Sequence, residues 1–339
     1  MTTITQVAQA VGVSPSTVSR VLNGKASHLV SADTRQRVLE AAQELGYQPS
    51  AAARALTTGR TDVVAIAFWP ANHPHYARMI ASAEVVVNEH GYHLLLVTGA
   101  RSQEEQLSAL LRERRVDVLV DVTYPVDRAE HLAEACVLPS QRVLALGPVD
   151  KAPPASISCA YWDDRKGVRK TVSHLFGLGH RRLTFLGGQV GQYKRRAFEA
   201  AAEELDLEGA VISCEDETDQ LAAGAEMALR ALDQHPRPTA LLCRNDQFAL
   251  GALHALHGAG LRVPEEMSVV GYNDTPMTSY CHPTLTTVRT PIVECAKVLL
   301  STALSALSED GGAEDTRVQA FSFDTRLQVR RSTGPPRSG

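Results

Sequence analysis

Several polar clusters in the sequence have residue types that could support catalysis or bind a metal, but none has the required spacing. The glycine-rich run at residues 186–192 lacks the lysine and hydroxyl residue of a phosphate-binding loop. His254 and His257 have no matching acids or thiols, so a solvent-facing helix surface explains them. The pair Asp163-Asp164 precedes a helical pattern, where acids cap the helix and oppose its dipole. We therefore predict no catalytic centre, cofactor or metal site, and expect that the protein is not an enzyme.

Residues 14–23 favour a different chemistry, the recognition of nucleic acid. Val18, Val21 and Leu22 have the spacing of an apolar helix face that points inward. The outer faces carry short hydrogen-bonding side chains and one arginine, with no acid: Ser16, Thr17, Ser19, Arg20 and Asn23. Such side chains can reach base edges and phosphates in DNA.

The segments around this helix predict how it is positioned. Thr3 and Gln6 have the spacing of a capping box before a first helix, and Gly12 can end that helix. Ser14-Pro15 then fits the start of the second helix, and Ser31 the start of a third. Three short helices, with a tight turn between the first two, favour a helix-turn-helix. A three-helix bundle that does not bind DNA is the alternative.

The charge distribution indicates two regions with different functions. The 339 residues carry a net charge of −4, but residues 1–60 carry +3 and the remainder −7. No apolar run approaches the ~18 residues of a membrane span, and no signal peptide is apparent. The six cysteines are scattered, as expected for reduced thiols. We therefore expect a cytoplasmic protein with no membrane partner.

From residue 62 onward, apolar strand patterns alternate with amphipathic helix patterns, which favours a parallel α/β sheet. The number of units predicts two doubly wound lobes, with a closed (β/α)₈ barrel as the alternative. Ligands of open sheets of this type bind beyond the carboxyl ends of the strands. The predicted strands are residues 62–68, 92–97, 116–122, 142–146, 182–187, 239–243 and 267–272.

The head closely resembles the DNA-binding domain of the lactose-repressor/galactose-repressor (LacI/GalR) family. The resemblance runs from residue 3 to 61 and includes VAQAVGVSPSTVSRVLNGK and SADTRQRVLEAAQELGYQPSAAARAL. It implies that the operator's major groove is faced by Ser14, Pro15, Ser16, Thr17 and Arg20. It implies further DNA-backbone contacts by Thr3, Ser19, Asn23 and Tyr47.

The same resemblance assigns residues 49–60 to a hinge helix that folds only on operator DNA. Leu56 would wedge apart a central base step from the minor groove, an established way to kink DNA. Ala53 is small enough to allow close approach, and Arg54 would lie near phosphate. Without the resemblance, this alanine-rich stretch is simply a linker.

The resemblance continues through the body in HLFGLGHRRLTFLGG, ALLCRNDQFALGALHALHGAGLRVPEEMSVVGYND, PTLTTV and RRST. It implies two lobes like those of periplasmic sugar-binding proteins, a cleft for a small effector, and a homodimer. The implied domains are 1–48 (DNA binding), 49–60 (hinge) and 61–333 (effector binding and dimerisation), followed by a disordered tail at 334–339. The N-lobe would comprise about 61–160 and 290–320, and the C-lobe about 161–289 and 321–333.

The resemblance also places effector contacts by position. Lys194 stands where the family usually has arginine, and Asn273 where aspartate is common. The two tryptophans are candidates for stacking on a sugar. The predicted effector-binding residues are Trp69, His75, Tyr76, Asp150, Trp162, Lys194, Asn245, Asp246 and Asn273. The effector could be a sugar, or a phosphorylated or nitrogenous metabolite.

These inferences predict a dimeric, sequence-specific transcription regulator, a repressor, whose operator affinity is controlled by the effector. The alternative is a ligand-binding protein of the sugar-binder type that does not regulate through DNA.

Overall fold

The computed structural model of the chain forms two compact units, residues 1–62 and 63–339, which are described separately. It describes residues 2–22, 30–47, 59–69, 73–98, 104–122, 127–149, 152–153, 155–188, 192–308 and 317–337. Within these ranges, no helix is long and apolar enough to cross a membrane.

The first unit contains three helices, α1 (Ile4–Val11), α2 (Pro15–Leu22) and α3 (Ala32–Glu44). The predicted capping box is present at α1, where Thr3 and Gln6 bond to each other's backbone. Gly12 ends α1 in the left-handed conformation, with φ of 76°, which glycine adopts without strain. The three helices share a small core of valine and alanine: Val7, Ala8, Val11, Val18, Val21, Val38 and Ala42.

The second unit contains two six-stranded sheets. The strands are β1 (Val63–Phe68), β2 (His93–Thr98), β3 (Val118–Asp121), β4 (Arg142–Pro148), β5 (Cys159–Trp162), β6 (Arg182–Gly188), β7 (Glu208–Cys214), β8 (Ala240–Cys243), β9 (Ser268–Asn273), β10 (Thr286–Arg289), β11 (Ala320–Phe323) and β12 (Arg326–Gln328). The N-lobe sheet has the order β11-β5-β4-β3-β1-β2, and the C-lobe sheet the order β12-β10-β9-β8-β6-β7. All pairings are parallel except β10 with β12. Two open sheets exclude the closed-barrel alternative.

Helices cover the sheets and follow the strands at their carboxyl ends. They are α4 (Pro74–Glu89), α5 (Glu104–Arg112), α6 (Asp127–Ala133), α7 (Asp164–Gly177), α8 (Gln192–Glu204), α9 (Gln220–Leu232), α10 (Asp246–Gly258) and α11 (Ile292–Ser308), with a 3₁₀ turn at Pro276–Ser279. Each sheet has a buried apolar cluster on both faces, as expected for a doubly wound fold.

The close contact of α9 with α10 depends on glycine. A Cβ at Gly251 would lie 1.9 Å from the Leu221 carbonyl oxygen, and one at Gly224 would lie 2.2 Å from the Phe248 carbonyl oxygen. This approach brings the start of α9 beside the start of α10, where two predicted effector residues lie.

Two strand ends lie near the predicted lobe boundaries of about 160 and 320. Strand β5 extends to Trp162 and β11 to Phe323, and both belong to the N-lobe sheet, so the chain crosses to the C-lobe after these residues.

The prediction of a disordered tail was wrong for residues 334–337. The Gly334 N–H donates to the Ser268 hydroxyl (3.1 Å), and the Gly334 carbonyl oxygen is 2.9 Å from His180 Nε2. Arg337 forms an exposed ion pair with Glu266 at 2.9 Å. These contacts attach the segment to the C-lobe, although its composition of glycine, proline and arginine resembles a tail.

Candidate functional sites

Helix α2 buries an apolar face and exposes a polar one. Its cap is Ser14, whose hydroxyl accepts from the Thr17 N–H (3.2 Å) and lies 2.7 Å from the Ser16 hydroxyl. Val18 and Val21 are buried, whereas Pro15, Ser16 and Arg20 are exposed. The structure therefore exposes the polar part of the predicted recognition surface, with the Ser14 hydroxyl already engaged in the cap.

The other predicted DNA contacts differ in their settings. Thr3 is exposed at the start of α1, where its backbone N–H donates to Gln6 Oε1 at 2.8 Å. Thr17 and Ser19 are half-buried, and Tyr47 packs against the core of the head. Four predicted contacts lie outside the described residues: Asn23, Ala53, Arg54 and Leu56.

In the C-lobe, Lys194 is the centre of a buried polar cluster. Its Nζ lies 3.6 Å from Asp164 Oδ2 and 3.7 Å from the centre of the Tyr272 ring. Asp164 also accepts from the Tyr272 hydroxyl (2.8 Å) and the Trp162 indole N–H (2.7 Å). Burial lowers the pKa of Lys194, and the Asp164 carboxylate opposes this shift. The Lys194 ammonium group is therefore stabilised in the protein interior by the Asp164 carboxylate, a hydrogen bond to the Arg244 carbonyl oxygen and the face of the Tyr272 ring.

Asn245 and Asp246 are both buried at the start of α10. Asn245 caps the helix by accepting from the Phe248 N–H (3.1 Å), and its amide donates to Gln220 Oε1 (2.7 Å).

Asp246 is not exposed at all. It accepts from the Thr275 N–H (2.7 Å) and the Thr287 hydroxyl (2.6 Å). Burial raises the pKa of Asp246 to about 7, although both hydrogen bonds favour the carboxylate. Asp246 thus ties α10 to the turn after β9 and to β10, which leads into the N-lobe.

A second buried ion pair lies beside the first. Arg244 Nη2 is 2.5 Å from Glu217 Oε2, and its guanidinium packs 4.9 Å from the centre of the Phe248 ring. The Arg244 carbonyl oxygen accepts from Lys194 Nζ at 3.3 Å. Sequence reasoning did not identify this pair, because Glu217 precedes α9 in a run of acids that resembles a surface loop.

The N-lobe contributes aromatic rings from the end of β1 and the start of α4. Tyr76 lies 5.2 Å from Phe68, 5.9 Å from His73 and 5.4 Å from His75 between ring centres. Its hydroxyl donates to the Trp69 carbonyl oxygen at 3.0 Å. The structure thus brings together the predicted residues Trp69, His75 and Tyr76.

His73, which was not predicted, caps α4 and is buried. Burial, followed by the charges of Arg244 and Lys194, lowers the pKa of His73 to about 4. Burial, together with His73 and Lys194, places the pKa of His75 well below its ordinary value. Both imidazoles are therefore neutral at pH 7 and face the cations of the C-lobe across a cleft.

The remaining predicted effector residues have mixed positions. Trp162 is only 2% exposed, so in this conformation its ring has no free face on which a sugar could stack, whereas Trp69 is 43% exposed. Asn273 ends β9 with φ of 109°, a strained conformation for a residue other than glycine. Asp150 lies outside the described residues.

This arrangement can bind a polar ligand through prearranged charges and rings. Among the described residues, no group of three histidine, cysteine or acidic side chains could hold a metal ion.

Two family models match separate parts of the chain. Residues 3–50 match bacterial regulatory proteins of the lacI family, and residues 172–333 match a periplasmic binding protein-like domain.

Similar proteins extend over nearly the whole chain. The chain is 32% identical to the HTH-type transcriptional repressor PurR of Haemophilus influenzae, over 98% of both chains. It is also 32% identical to the transcriptional regulator CelR of Thermobifida fusca, over 97% of this chain and 98% of that one. A structure of the lac repressor dimer bound to operator and an anti-inducer matches with a TM-score of 0.82 and 26% identity, over 98% of this chain and 99% of that one. A CelR–cellobiose complex matches with a TM-score of 0.68 and 27% identity, over 98% of this chain and all of that one.

Proposed function

The chain belongs to the LacI family of DNA-binding transcriptional regulators, and from this membership we propose that it acts as a homodimeric repressor controlled by a small effector in the interlobe cleft. It would act in the cytoplasm, on nucleoid DNA, and without catalysis. The recognition helix would enter the major groove of each half-site, and the hinge segment would enter the minor groove.

The exposed face of α2 is the observation that supports DNA binding most directly. It is polar, contains Arg20 and no acid, and rests on Val18 and Val21, which fix its orientation. The charge of the head is only +3, so phosphate attraction alone would give modest affinity. Two half-sites in a dimer and the hinge wedge would supply the remainder.

The cleft supports effector control. The relative CelR has been solved with cellobiose, and other similar structures contain ribose or lactose. In this chain the corresponding groups would be Lys194 and Asn245 on the C-lobe, facing the rings of the N-lobe. Asp246, which is fully buried in this conformation, would position the start of α10 rather than contact the effector. We propose a sugar or sugar-related metabolite as the effector. Lysine in place of arginine at position 194 replaces a bidentate fork with a point charge, so the effector would differ from those of arginine-bearing relatives.

Selection of bound sequences from random double-stranded DNA tests the DNA-binding part. The full chain should enrich a palindromic site, and Arg20→Ala should weaken binding to it by about 1–3 kcal/mol if Arg20 reads a base. Arg196→Gln, an exposed substitution in the body, is the matched control and should bind normally. Equal weakening on all DNA sequences would instead make Arg20 a phosphate contact.

Leu56→Ala tests the hinge. It should weaken binding to the selected site while leaving weak nonspecific binding unchanged, since the wedge acts only on the kinked site. Equal loss of specific and nonspecific binding would show that Leu56 does not act as a wedge. Failure to enrich any sequence would favour the alternative of a ligand-binding protein without DNA regulation.

A further inference from the structure

A small, partly open cavity lies at the seam between the lobes. The N-lobe contributes the first turns of α4, including His75 and Arg78, and the C-lobe contributes the turn after β9 at residues 273–276. The third side is the chain crossing from β10 to α11, residues 289–294. Any ligand in this cavity would contact both lobes and the segment that connects them.

One buried hydroxyl group of this crossing makes no hydrogen bond among the described residues. Thr290 lines the cavity and is 5% exposed, and its hydroxyl oxygen is buried without a hydrogen-bond partner among the described residues. Leaving such a group unpaired costs free energy, so an unpaired buried hydroxyl suggests a missing partner.

Helix α11 begins beside Thr290. Its first turn, Ile292 to Glu294, lines the same cavity. The first amides of an α-helix have no intrahelical acceptor, and the helix dipole places partial positive charge there. The first turn of this 17-residue helix therefore offers backbone N–H donors to an anion in the cavity.

The charged side chains around the cavity leave one cation in excess. Glu294 pairs with Arg289 at 3.1 Å, and Asp274 pairs with Arg330 at 2.6 Å. Arg78 is exposed at the cavity wall and has no ion pair in the described part of the chain. Each acid is thus already neutralised by a guanidinium, and Arg78 remains available.

We propose that this seam cavity is an anion subsite, in which Arg78, the Thr290 hydroxyl and the first amides of α11 bind a phosphate or carboxylate. The proposal rests on the proposed function, because the anion would be the charged arm of an effector whose neutral part occupies the adjoining cleft. Asn273, a predicted effector contact, lines the same cavity and would connect the two parts. An anion held by both lobes and their connection would favour one lobe angle.

Inorganic phosphate is the probe for the subsite itself. Titration of the full chain, followed by ³¹P line broadening, should show saturable binding that Arg78→Gln and Thr290→Val each weaken by about 10-fold. Valine retains the shape of threonine and removes only the hydroxyl. Arg196→Gln, an exposed arginine of α8, removes the same charge elsewhere and should leave phosphate binding unchanged.

Matched pairs of compounds identify the source of the anion. Glucose with glucose 6-phosphate, and ribose with ribose 5-phosphate, are titrated by calorimetry against the full chain. Tighter binding of a sugar phosphate than of both its sugar and free phosphate, lost in Thr290→Val, supports an effector with an anionic arm. Tightest binding of free phosphate supports the subsite but assigns it to a separate ion.

The subsite is overturned if phosphate causes no saturable broadening, or if Arg78→Gln and Thr290→Val bind phosphate as the wild type does. Operator binding is measured on the same preparations. Phosphate binding without operator binding would reject the proposed function and retain the subsite, and the converse result would reject only the subsite.

Discussion

The two walls of the cleft are built on different physical principles. The C-lobe wall has two buried ion pairs, Lys194–Asp164 and Arg244–Glu217, whose side chains are at most 14% exposed. The N-lobe wall has aromatic rings and two imidazoles that burial and the opposite cations keep neutral. On the C-lobe wall, each buried charge therefore already has its partner in place. The N-lobe also has a buried ion pair, Arg128 with Asp121 at 2.6 Å, but its wall facing Lys194 and Arg244 consists of neutral rings.

This difference bears on how an effector would be recognised. Fixed charges on the C-lobe can hold polar groups with little rearrangement, which preserves binding energy. Neutral rings on the N-lobe can cover the ligand from the other side. The C-lobe would thus hold the polar groups of the ligand, and the N-lobe would cover the ligand and add Arg78 at the seam.

The largest expected effect that tests this contrast is that of Asp164→Ala. The substitution removes the partner of the buried Lys194 and the acceptor of the Trp162 and Tyr272 donors. Loss of one member of a buried pair costs about 3–5 kcal/mol, and we expect that loss in urea unfolding.

Asp163→Ala is the matched control, one residue earlier. Asp163 caps α7 by accepting from the Arg165 N–H at 2.9 Å, and its loss should cost about 1 kcal/mol. Equal losses at the two positions would show that the C-lobe wall is not the preorganised charge cluster described above.

Asp246→Asn should change how stability depends on pH. The wild-type carboxyl group has its pKa raised from 3.8 to about 7 in the fold, so the folded state binds the proton more tightly than the unfolded state. Wild-type stability should therefore fall relative to the variant as pH rises through this window, by about 4 kcal/mol in total. Urea unfolding at a series of pH values measures the difference, and a difference that is constant with pH would contradict it.

His73→Asn should show the opposite slope, with a smaller effect. The folded pKa of His73 is lowered from 6.5 to about 4, so the unfolded state binds the proton more tightly. Wild-type stability should fall relative to the variant as pH drops through this window, by about 3 kcal/mol. Asparagine can still accept from the His75 N–H and so preserve the cap.

Opposite slopes are expected because burial disfavours the charged form of both groups, which is an anion at Asp246 and a cation at His73. The same slope for Asp246→Asn and His73→Asn would show that burial does not govern one of the two groups.

The head was predictable because its signals are local. The capping box of Thr3 and Gln6, the turn at Gly12 and the cap at Ser14 each act within a few residues. In the body, the strongly apolar strands were predicted, whereas β5, β7, β10, β11 and β12 were not. These missed strands are short or partly exposed, so their alternation is weak.

The site was predictable only in part. Resemblance placed Lys194 and Asp246, but spacing could not show that Asp164, rather than Asp163, turns inward. The pairing of Arg244 with Glu217 and the position of His73 depend on elements that meet only in the folded chain.

The discontinuous lobes also determine when each core can form during synthesis. The C-lobe sheet from β6 to β10 is encoded within residues 182–289, and only its antiparallel edge strand comes later. The N-lobe begins first, yet its core includes Ile292, Leu299 and Leu304 of α11, and its sheet ends with β11. The lobe that leaves the ribosome first is therefore completed after most of its partner. Until α11 is synthesised, the apolar residues of the N-lobe that pack against it lack that cover.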